Sequence, residues 1–147
     1  MKKIIFFVSL FVLTINFVSA QSETATIQKM IEAESHAYHE SADRNAFLNY
    51  WNIVADAHMV YSGNGTCILL NAKDMKAAGK KSDAPKPDHA KVEMSNYVIR
   101  NNGNVAWASF DQKSTTPDGK ISNQHEFRCL EKVGGDWKIV SSSVHGY

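Results

Sequence analysis

Three turn signals divide the chain from His89 onward into four long segments. They are Asn101-Asn102-Gly103-Asn104, Pro117-Asp118-Gly119-Lys120 and Val133-Gly134-Gly135-Asp136. Asn-Gly, Asp-Gly and Gly-Gly supply the positive φ angles that two-residue hairpin turns require. The segments between the turns are rich in β-branched and aromatic residues, which favour strands. This spacing predicts a meander of four antiparallel strands over residues 89–147.

The turn positions also predict which side chains share a face of the sheet, because a shift of one residue moves a whole strand to the other face. With each turn centred on its glycine-containing dipeptide, Asp111 lies directly opposite Glu126, and Arg128 lies diagonal to Asp111. The polar half of this face has Asn96, Asp111, Glu126, Arg128, Ser143 and His145, and the apolar half has Val98, Trp107, Leu130, Trp137 and Ile139. A sheet packed on helices at one end and open to a polar pocket at the other would have this gradient.

The opposite face is predicted to be largely apolar, because it carries Tyr97, Ile99, Phe110, Phe127, Val140 and Val144. A contiguous exposed patch of this kind usually marks an interface, and it would suit a homodimer with a two-fold axis. In the alternative arrangement this second face is the covered one. The pocket residues would then be Gln112, His125 and Cys129.

The first 20 residues are predicted to be a signal peptide. Met1-Lys2-Lys3 is a short basic region, Ile4 to Val18 is almost entirely apolar, and Val18-Ser19-Ala20 matches the small-x-small cleavage pattern before Gln21. The apolar run is too short for a dependable membrane span. We therefore expect export to the periplasm or the medium, with a retained N-terminal anchor as the lesser alternative.

Cleavage would leave 127 residues, enough for one domain with a hydrophobic core over residues 21–147. It would remove two of the 16 basic residues and no acid, so 14 basic residues would face 15 acidic ones. This near-balance argues against a nucleic-acid partner or an anionic membrane, either of which would need a clustered basic surface. Two cysteines remain, Cys67 and Cys129, and the sequence leaves open whether they form a disulfide in an oxidising compartment.

Helical patterns precede the meander. Residues 22–41 repeat apolar side chains at helical spacing, and Glu34 interrupts the apolar stripe. Asp43 caps a short second helix, His58–Ser62 and Thr66–Leu70 form a short hairpin, and Asn71 caps a third helix that ends near Gly79. Helices followed by an antiparallel sheet predict an α+β domain.

In this order of elements the chain resembles the nuclear transport factor 2 (NTF2) superfamily, including its SnoaL-like and ketosteroid-isomerase-like members. The resemblance covers nearly all of the chain after residue 20. It is carried by Trp51–Ala57 before the first strand, by Ala106–Gln112, and by Phe127–Lys132 followed by Gly135–Val140. It implies a cone-shaped curved sheet with the N-terminal helices over its concave face, and family members often dimerise through the sheet.

Within such a cone we expect a pocket for a small, partly apolar molecule. Trp51, Tyr61 and Trp107 would form the apolar wall, Tyr38 would contribute from the first helix, and Arg128 would orient an acidic or carbonyl group. No cofactor or metal is implied. A binding module of undefined ligand is the first hypothesis, and a structural dimer with an incidental cavity is a further one.

The enzymatic hypothesis is a lyase or isomerase that uses Glu126 or Asp111 with His145. Two carboxyl groups that are close together and shielded from water raise the pKa of one of them, which could then act as a general acid. The ketosteroid-isomerase resemblance places an oxyanion-hole Tyr near Tyr38, but Tyr61 stands at the expected position of the base. The expected acid falls near His125 or Phe127, so isomerase chemistry is not supported.

The pattern His36, His39 and Glu40 on the first helix could hold a metal only with further ligands. Both histidines lie beside or off the apolar stripe. A solvated helix face is therefore the preferred interpretation of this cluster.

Overall fold

The computed structural model of the chain describes residues 23–63, 65–80 and 87–147. The predicted signal peptide over residues 1–20 lies outside this part. No helix among the described residues is long and apolar enough to cross a membrane.

The fold is α+β, as predicted. Helix α1 covers residues 23–40, a 3-10 helix covers Ala46–Tyr50, and helix α2 covers Ala72–Gly79. The strands are β1 (His58–Gly63), β2 (Thr66–Asn71), β3 (Lys91–Asn102), β4 (Val105–Thr115), β5 (Ile121–Val133) and β6 (Asp136–Gly146).

All six strands belong to one sheet with the order β2-β1-β6-β5-β4-β3. The predicted hairpin β1–β2 and the predicted meander β3–β6 are both confirmed. The sheet is mixed rather than wholly antiparallel, because β1 returns beside β6 and pairs with it in the parallel sense. This pairing places Tyr61 next to Val144 and Ser62 next to His145.

At two of the three predicted turns, the residues that share a face of the sheet beside the turn are the predicted ones. Gly134 and Gly135 form the turn between β5 and β6, and both have positive φ, 62° and 96°. The turn between β3 and β4 is centred one residue later than predicted, so that Asn102 pairs with Val105. This displacement preserves which residues share a face.

The register predicted between β4 and β5 is wrong by one residue. The connection is a five-residue loop over residues 116–120 instead of a two-residue turn, because Thr115 pairs with Ile121. The loop is closed by hydrogen bonds from Thr116 N to the Lys120 carbonyl (3.0 Å) and from Gly119 N to the Thr116 carbonyl (2.8 Å). Every side chain of β5 therefore lies on the opposite face, relative to β4, from the one predicted.

Two further register shifts each move the side chains along part of a strand to the opposite face of the sheet. One lies between Ser95 and Val98 in β3, where Asn96 has a φ of 55°, and the other lies between Cys129 and Leu130 in the β5–β6 pairing. β-Bulges of this kind insert one unpaired residue and bend the strand. Beyond the second shift, Ser142 and Val144 are buried and His145 is exposed.

The core lies between the helices and one face of the sheet, which we call the inner face. Its buried apolar side chains are Ile27 and Ile31 of α1, Phe47 and Leu48 of the 3-10 helix, and Ile99, Ala106, Ala108, Phe110, Leu130, Trp137 and Ile139 of the sheet. Phe110, predicted on the interface patch, is therefore a core residue with no exposed surface.

The other face of the sheet, the outer face, carries the residues that alternate with the core. Trp107 and Phe127 stack there with ring centroids 5.6 Å apart, and they remain 38% and 40% exposed. Cys129 lies on this face of β5 and Cys67 is exposed on β2, and both are free thiols.

Phe110 lies on the inner face and Phe127 on the outer face of neighbouring strands. Replacing each by alanine should therefore lower the free energy of unfolding by very different amounts. Phe110→Ala should destabilise the fold by about 3–5 kcal/mol, because it leaves a cavity in the core. Phe127→Ala should cost about 1 kcal/mol or less, because it loses only one exposed aromatic contact. Urea unfolding of the two variants checks this, and equal costs would contradict the assignment.

Candidate ligand site

A cavity of about 540 Å³ opens between α1 and the inner face of the sheet. Small-molecule sites in proteins usually have volumes of about 300–1,000 Å³. Residues of α1, of the parallel pair β1 and β6, and of the ends of β4 and β5 line this cavity. Its position under the first helix is the one that the sequence predicts for a pocket.

Three charged side chains lie at the buried end of this cavity, and we call them the buried triad: Glu34, Glu126 and Arg128. They are exposed by only 2%, 2% and 4%. The Arg128 Nη1 group donates to Glu34 Oε2 at 2.5 Å, and its Nη2 and Nε groups donate to Glu126 Oε2 at 2.7 and 3.1 Å. One guanidinium therefore bridges a carboxylate of the helix and a carboxylate of the sheet.

Local structure explains why these three side chains meet. Glu34 follows Ile27 and Ile31 at helical spacing, so it projects from the same stripe of α1 into the interior. Glu126 and Arg128 are two residues apart in β5 and share its inner face. The guanidinium carbon of Arg128 lies 5.4 Å from the ring centroid of Phe110, which supports it from the neighbouring strand.

Both carboxylates have further donors. Trp51 Nε1 donates to Glu34 Oε1 at 2.8 Å, and Gln124 Nε2 donates to Glu126 Oε1 at 3.0 Å. Burial by itself would lower the pKa of Arg128, but the charges and hydrogen bonds of Glu34 and Glu126 outweigh it and raise the pKa above its usual value. The guanidinium therefore stays charged, and the buried triad combines two acidic groups with one basic group.

A second polar network lies on the cavity wall beside the triad. Ser35 donates from its hydroxyl to Gln112 Oε1 at 3.0 Å, and Gln112 Nε2 donates to the Ser114 hydroxyl at 3.4 Å. All three residues are buried and line the cavity. They offer hydroxyl and amide groups to a polar ligand.

The cavity rim includes Tyr38, His39 and Asp88. Burial raises the pKa of the Tyr38 phenol, and the negative charges of Asp88, Glu34 and Glu126 raise it further against the opposing effect of Arg44. His39 Nδ1 lies 2.7 Å from Asp88 Oδ1. Burial would raise the pKa of Asp88, but the hydrogen bonds from His39 and the Ala90 backbone, together with the charges of His39 and Arg44, outweigh it and the pKa is lowered.

The prediction that His36 and His39 lie on a solvated face of α1 is confirmed for His36 and wrong for His39. His36 is exposed and lies 3.4 Å from Glu40, its neighbour one turn away. His39 is only 7% exposed, because it turns toward the segment that carries Asp88. The long sequence separation of this contact explains why helical periodicity could not reveal it.

The structure brings four of the eight predicted site residues to the cavity: Tyr38, Tyr61, Glu126 and Arg128. Trp51 is buried and does not belong to the lining, but it donates a hydrogen bond to Glu34, which does. Trp107, Asp111 and His145 lie on the outer face instead, since the five-residue loop and the bulge in β6 reverse their predicted orientation. The proposed cluster of Asp111, Glu126 and His145 is therefore not formed.

Asp111 belongs to a different hydrogen-bonded chain on the outer face. His125 is its direct cross-strand partner, with Nδ1 2.7 Å from Asp111 Oδ1 and Nε2 2.8 Å from the Ser109 hydroxyl. Asn96 donates to the other Asp111 oxygen at 2.7 Å. The hydrogen bond from Asn96, followed by that of His125, lowers the pKa of Asp111. The order Ser-His-Asp resembles a nucleophilic triad, but these residues do not line the cavity.

His145 lies close to this chain, opposite His125 in the register. Its two ring nitrogens are 2.5 Å from the Ser62 hydroxyl and 2.8 Å from the Ser143 hydroxyl. The outer face is therefore more polar at this end than the sequence predicts, because the histidines and serines share it with Trp107 and Phe127.

Sequence reasoning did not select Glu34, Ser35 or Gln112 for the preferred site. The interruption of an apolar helical stripe by Glu34 is a signal that could have selected it, since a buried acid needs a partner. Gln112 appears only in the alternative pocket. Ser35 has no distinguishing pattern.

Comparisons with known proteins agree with this architecture. No protein-family model and no curated protein sequence matches the chain. An NTF2-like protein of unknown function from Shewanella oneidensis superposes with a TM-score of 0.67 at 14% identity, over 84% of this chain and 98% of its own. The chain has an NTF2-like fold.

Two other structures with this fold have names that indicate different roles. A CaMKII hub from S. rosetta superposes with a TM-score of 0.65 at 16% identity, over 84% of this chain and 95% of its own. A ketosteroid-isomerase-like protein from Parabacteroides distasonis gives 0.61 at 17% identity, over 80% and 85%. Likeness at this level of identity shows the NTF2-like fold, which hosts unrelated functions.

Removal of the Arg128 guanidinium tests how much the buried triad stabilises the fold. Arg128→Ala should destabilise the fold by about 3–5 kcal/mol, because two buried carboxylates would lose the positive charge that both of them contact. Urea unfolding measures the loss. Lys132→Ala is the matched control, because Lys132 pairs with Glu23 at a partly exposed position of the same strand. It should cost about 1 kcal/mol or less, and a similar cost for Arg128→Ala would contradict the role of the triad.

Proposed function

We propose that this protein is an exported small-molecule-binding domain that holds its ligand in the cavity beneath α1. The observation that carries the proposal is the opening of the buried triad into a cavity of about 540 Å³. A purely structural ion pair is normally surrounded by packed side chains, because close packing is the rule in protein interiors. Polar groups converging on an accessible cavity are typical of binding sites.

Binding is better supported than catalysis by the predicted residues. Both Glu34 and Glu126 accept hydrogen bonds from Arg128, so the carboxyl oxygens in these contacts act as acceptors and not as donors. The lyase or isomerase hypothesis pairs Glu126 or Asp111 with His145. His145 lies across the sheet from Glu126, and neither Asp111 nor His145 lines the cavity.

Dimerisation through the outer face is a second candidate function, and it is compatible with the first. Its support is the exposed Trp107–Phe127 stack together with Val98 and Val105, which are 44% and 57% exposed. Exposed apolar side chains that lie together favour an interface. One structure with the same fold is named as a hub. A dimer of this kind would leave the inner cavity of each copy accessible.

Filling the cavity should abolish binding without unfolding the protein. Ser114→Phe places a ring on the inner face of β4 at the cavity wall, whereas Ser95→Phe places the same ring at an exposed position of edge strand β3. In a fragment screen followed by two-dimensional NMR, ligands should shift resonances of Tyr38, Gln112 and Gln124 in the wild type and in Ser95→Phe. The shifts should disappear in Ser114→Phe.

The outcome against the proposal is equally clear. A folded wild-type protein that shows no cavity-confined shifts with any fragment would contradict a binding function. Ligand shifts that persist unchanged in a folded Ser114→Phe variant would place binding outside this cavity. Circular dichroism and thermal melting establish that each variant is folded.

Native mass spectrometry of protein exported from a bacterial host tests export and dimerisation together. We expect a particle with the mass of two chains that each begin at Gln21, because the Val18-Ser19-Ala20 pattern directs cleavage there. Phe127→Glu should give the same mature chain as a monomer, since it places a charge in the apolar patch. A mature monomer in the wild type would contradict dimerisation, and an uncleaved chain would contradict export.

A further inference from the structure

We propose that the ligand of this cavity carries a protonated amine, which binds beside the Glu34 and Glu126 carboxylates. The inference rests on the proposed binding function and adds the chemical class of the ligand. It reverses the expectation from the sequence that Arg128 would orient an acidic group.

The donors of Arg128 are already directed at carboxylates of the protein. Its Nη1 group contacts Glu34, and its Nε and Nη2 groups contact Glu126. A ligand carboxylate that reached Arg128 would become a third anion around one cation. Like charges at such distances repel strongly where water is excluded. An acidic ligand is therefore disfavoured at the position where the sequence alone would place it.

The two carboxylates retain capacity for a cationic donor. A carboxylate offers about four acceptor positions, and from the described residues Glu34 receives two hydrogen bonds and Glu126 receives three. Two formal negative charges face one positive charge in the buried triad. An ammonium group would complete the charge balance and can donate three hydrogen bonds.

The other ionisable groups of the cavity do not cancel this excess of negative charge. Asp88 at the rim lies 2.7 Å from His39, and this pair carries no net positive charge whether or not the imidazole is protonated. Lys120 is exposed on the loop between β4 and β5, where water and salt screen its charge. The deepest part of the cavity therefore keeps a negative potential.

The walls of the cavity suit an amine with an apolar or hydroxylated body. Tyr38 and Tyr61 both line it, and aromatic faces attract ammonium groups. Ser35 and Gln112 add polar groups to the lining of the cavity. A small primary amine with a compact ring or a short polar chain fits this combination.

Three probes that share one ring and differ in charge test the inference: benzylamine, benzyl alcohol and benzoate. Affinities are measured by NMR titration at pH 7, with shifts followed at cavity residues. We expect benzylamine to bind about ten-fold or more tightly than benzyl alcohol, as one charged hydrogen bond would provide. Benzoate should bind more weakly than benzyl alcohol.

Neutralising one carboxylate should remove the preference. Glu126→Gln keeps the size of the side chain and leaves Arg128 paired with Glu34, so the triad becomes formally neutral. Benzylamine and benzyl alcohol should then bind within about two-fold of each other. Glu34→Gln provides the same test from the helix if Glu126→Gln does not fold. Glu93→Gln is the control, because it removes one acidic charge from an exposed position of β3 outside the cavity.

The possible failures are distinguishable. Cavity binding of benzoate or benzyl alcohol as tight as that of benzylamine would overturn the amine inference and leave the binding function intact. A benzylamine preference that survives in Glu126→Gln would also overturn it. Absence of cavity shifts with all three probes, while unrelated fragments do bind there, would overturn only the inference. Absence with every fragment would overturn the proposed function as well.

Discussion

The ion pair network of Arg128 with Glu34 and Glu126 connects the first helix to the middle of the sheet. A buried guanidinium is costly unless it is paired and hydrogen-bonded, so the burial of Arg128 depends on α1 holding Glu34 over β5. Trp51 adds the 3-10 helix region to the same network through Glu34. The cavity follows from this arrangement, because charged side chains hold the helix over a part of the sheet that apolar packing does not fill.

The network itself depends on the length of one loop. With a two-residue turn between β4 and β5, Glu126 would lie beside Asp111, and Arg128 would not share a face with Phe110. The five-residue loop at 116–120 instead aligns Phe110 with Glu126 and Asp111 with His125. A difference of one residue in register thus determines whether Arg128 is buried with two acids or lies on the outer face.

The sequence predicts the fold well and the site only in part, for identifiable physical reasons. The Gly134-Gly135 turn is encoded by two residues that tolerate positive φ, and it was predicted correctly. The Asp118-Gly119 signal is present, but Thr116 closes a longer loop through its backbone and side chain. The bulges in β3 and β6 have no reliable local signature. Arg128 and Glu126 were recognised as a pair because their spacing alone keeps them on one face, whereas Glu34 joins them across 94 residues of sequence.

Strand β5 separates two kinds of chemistry by simple alternation. His125 and Phe127 point to the outer face, while Glu126 and Arg128 point to the cavity. Under the proposed function, changes to the outer face would therefore alter self-association without changing the cavity, and changes to the inner face would alter the charge of the cavity without changing the proposed interface. If the cavity binds an amine as we propose, the number of acids around Arg128 decides the sign of the ligand charge that the cavity favours. A single substitution at Glu34 or Glu126 would thus change ligand class while the NTF2-like architecture is retained, which is a physical route by which one fold hosts many unrelated functions.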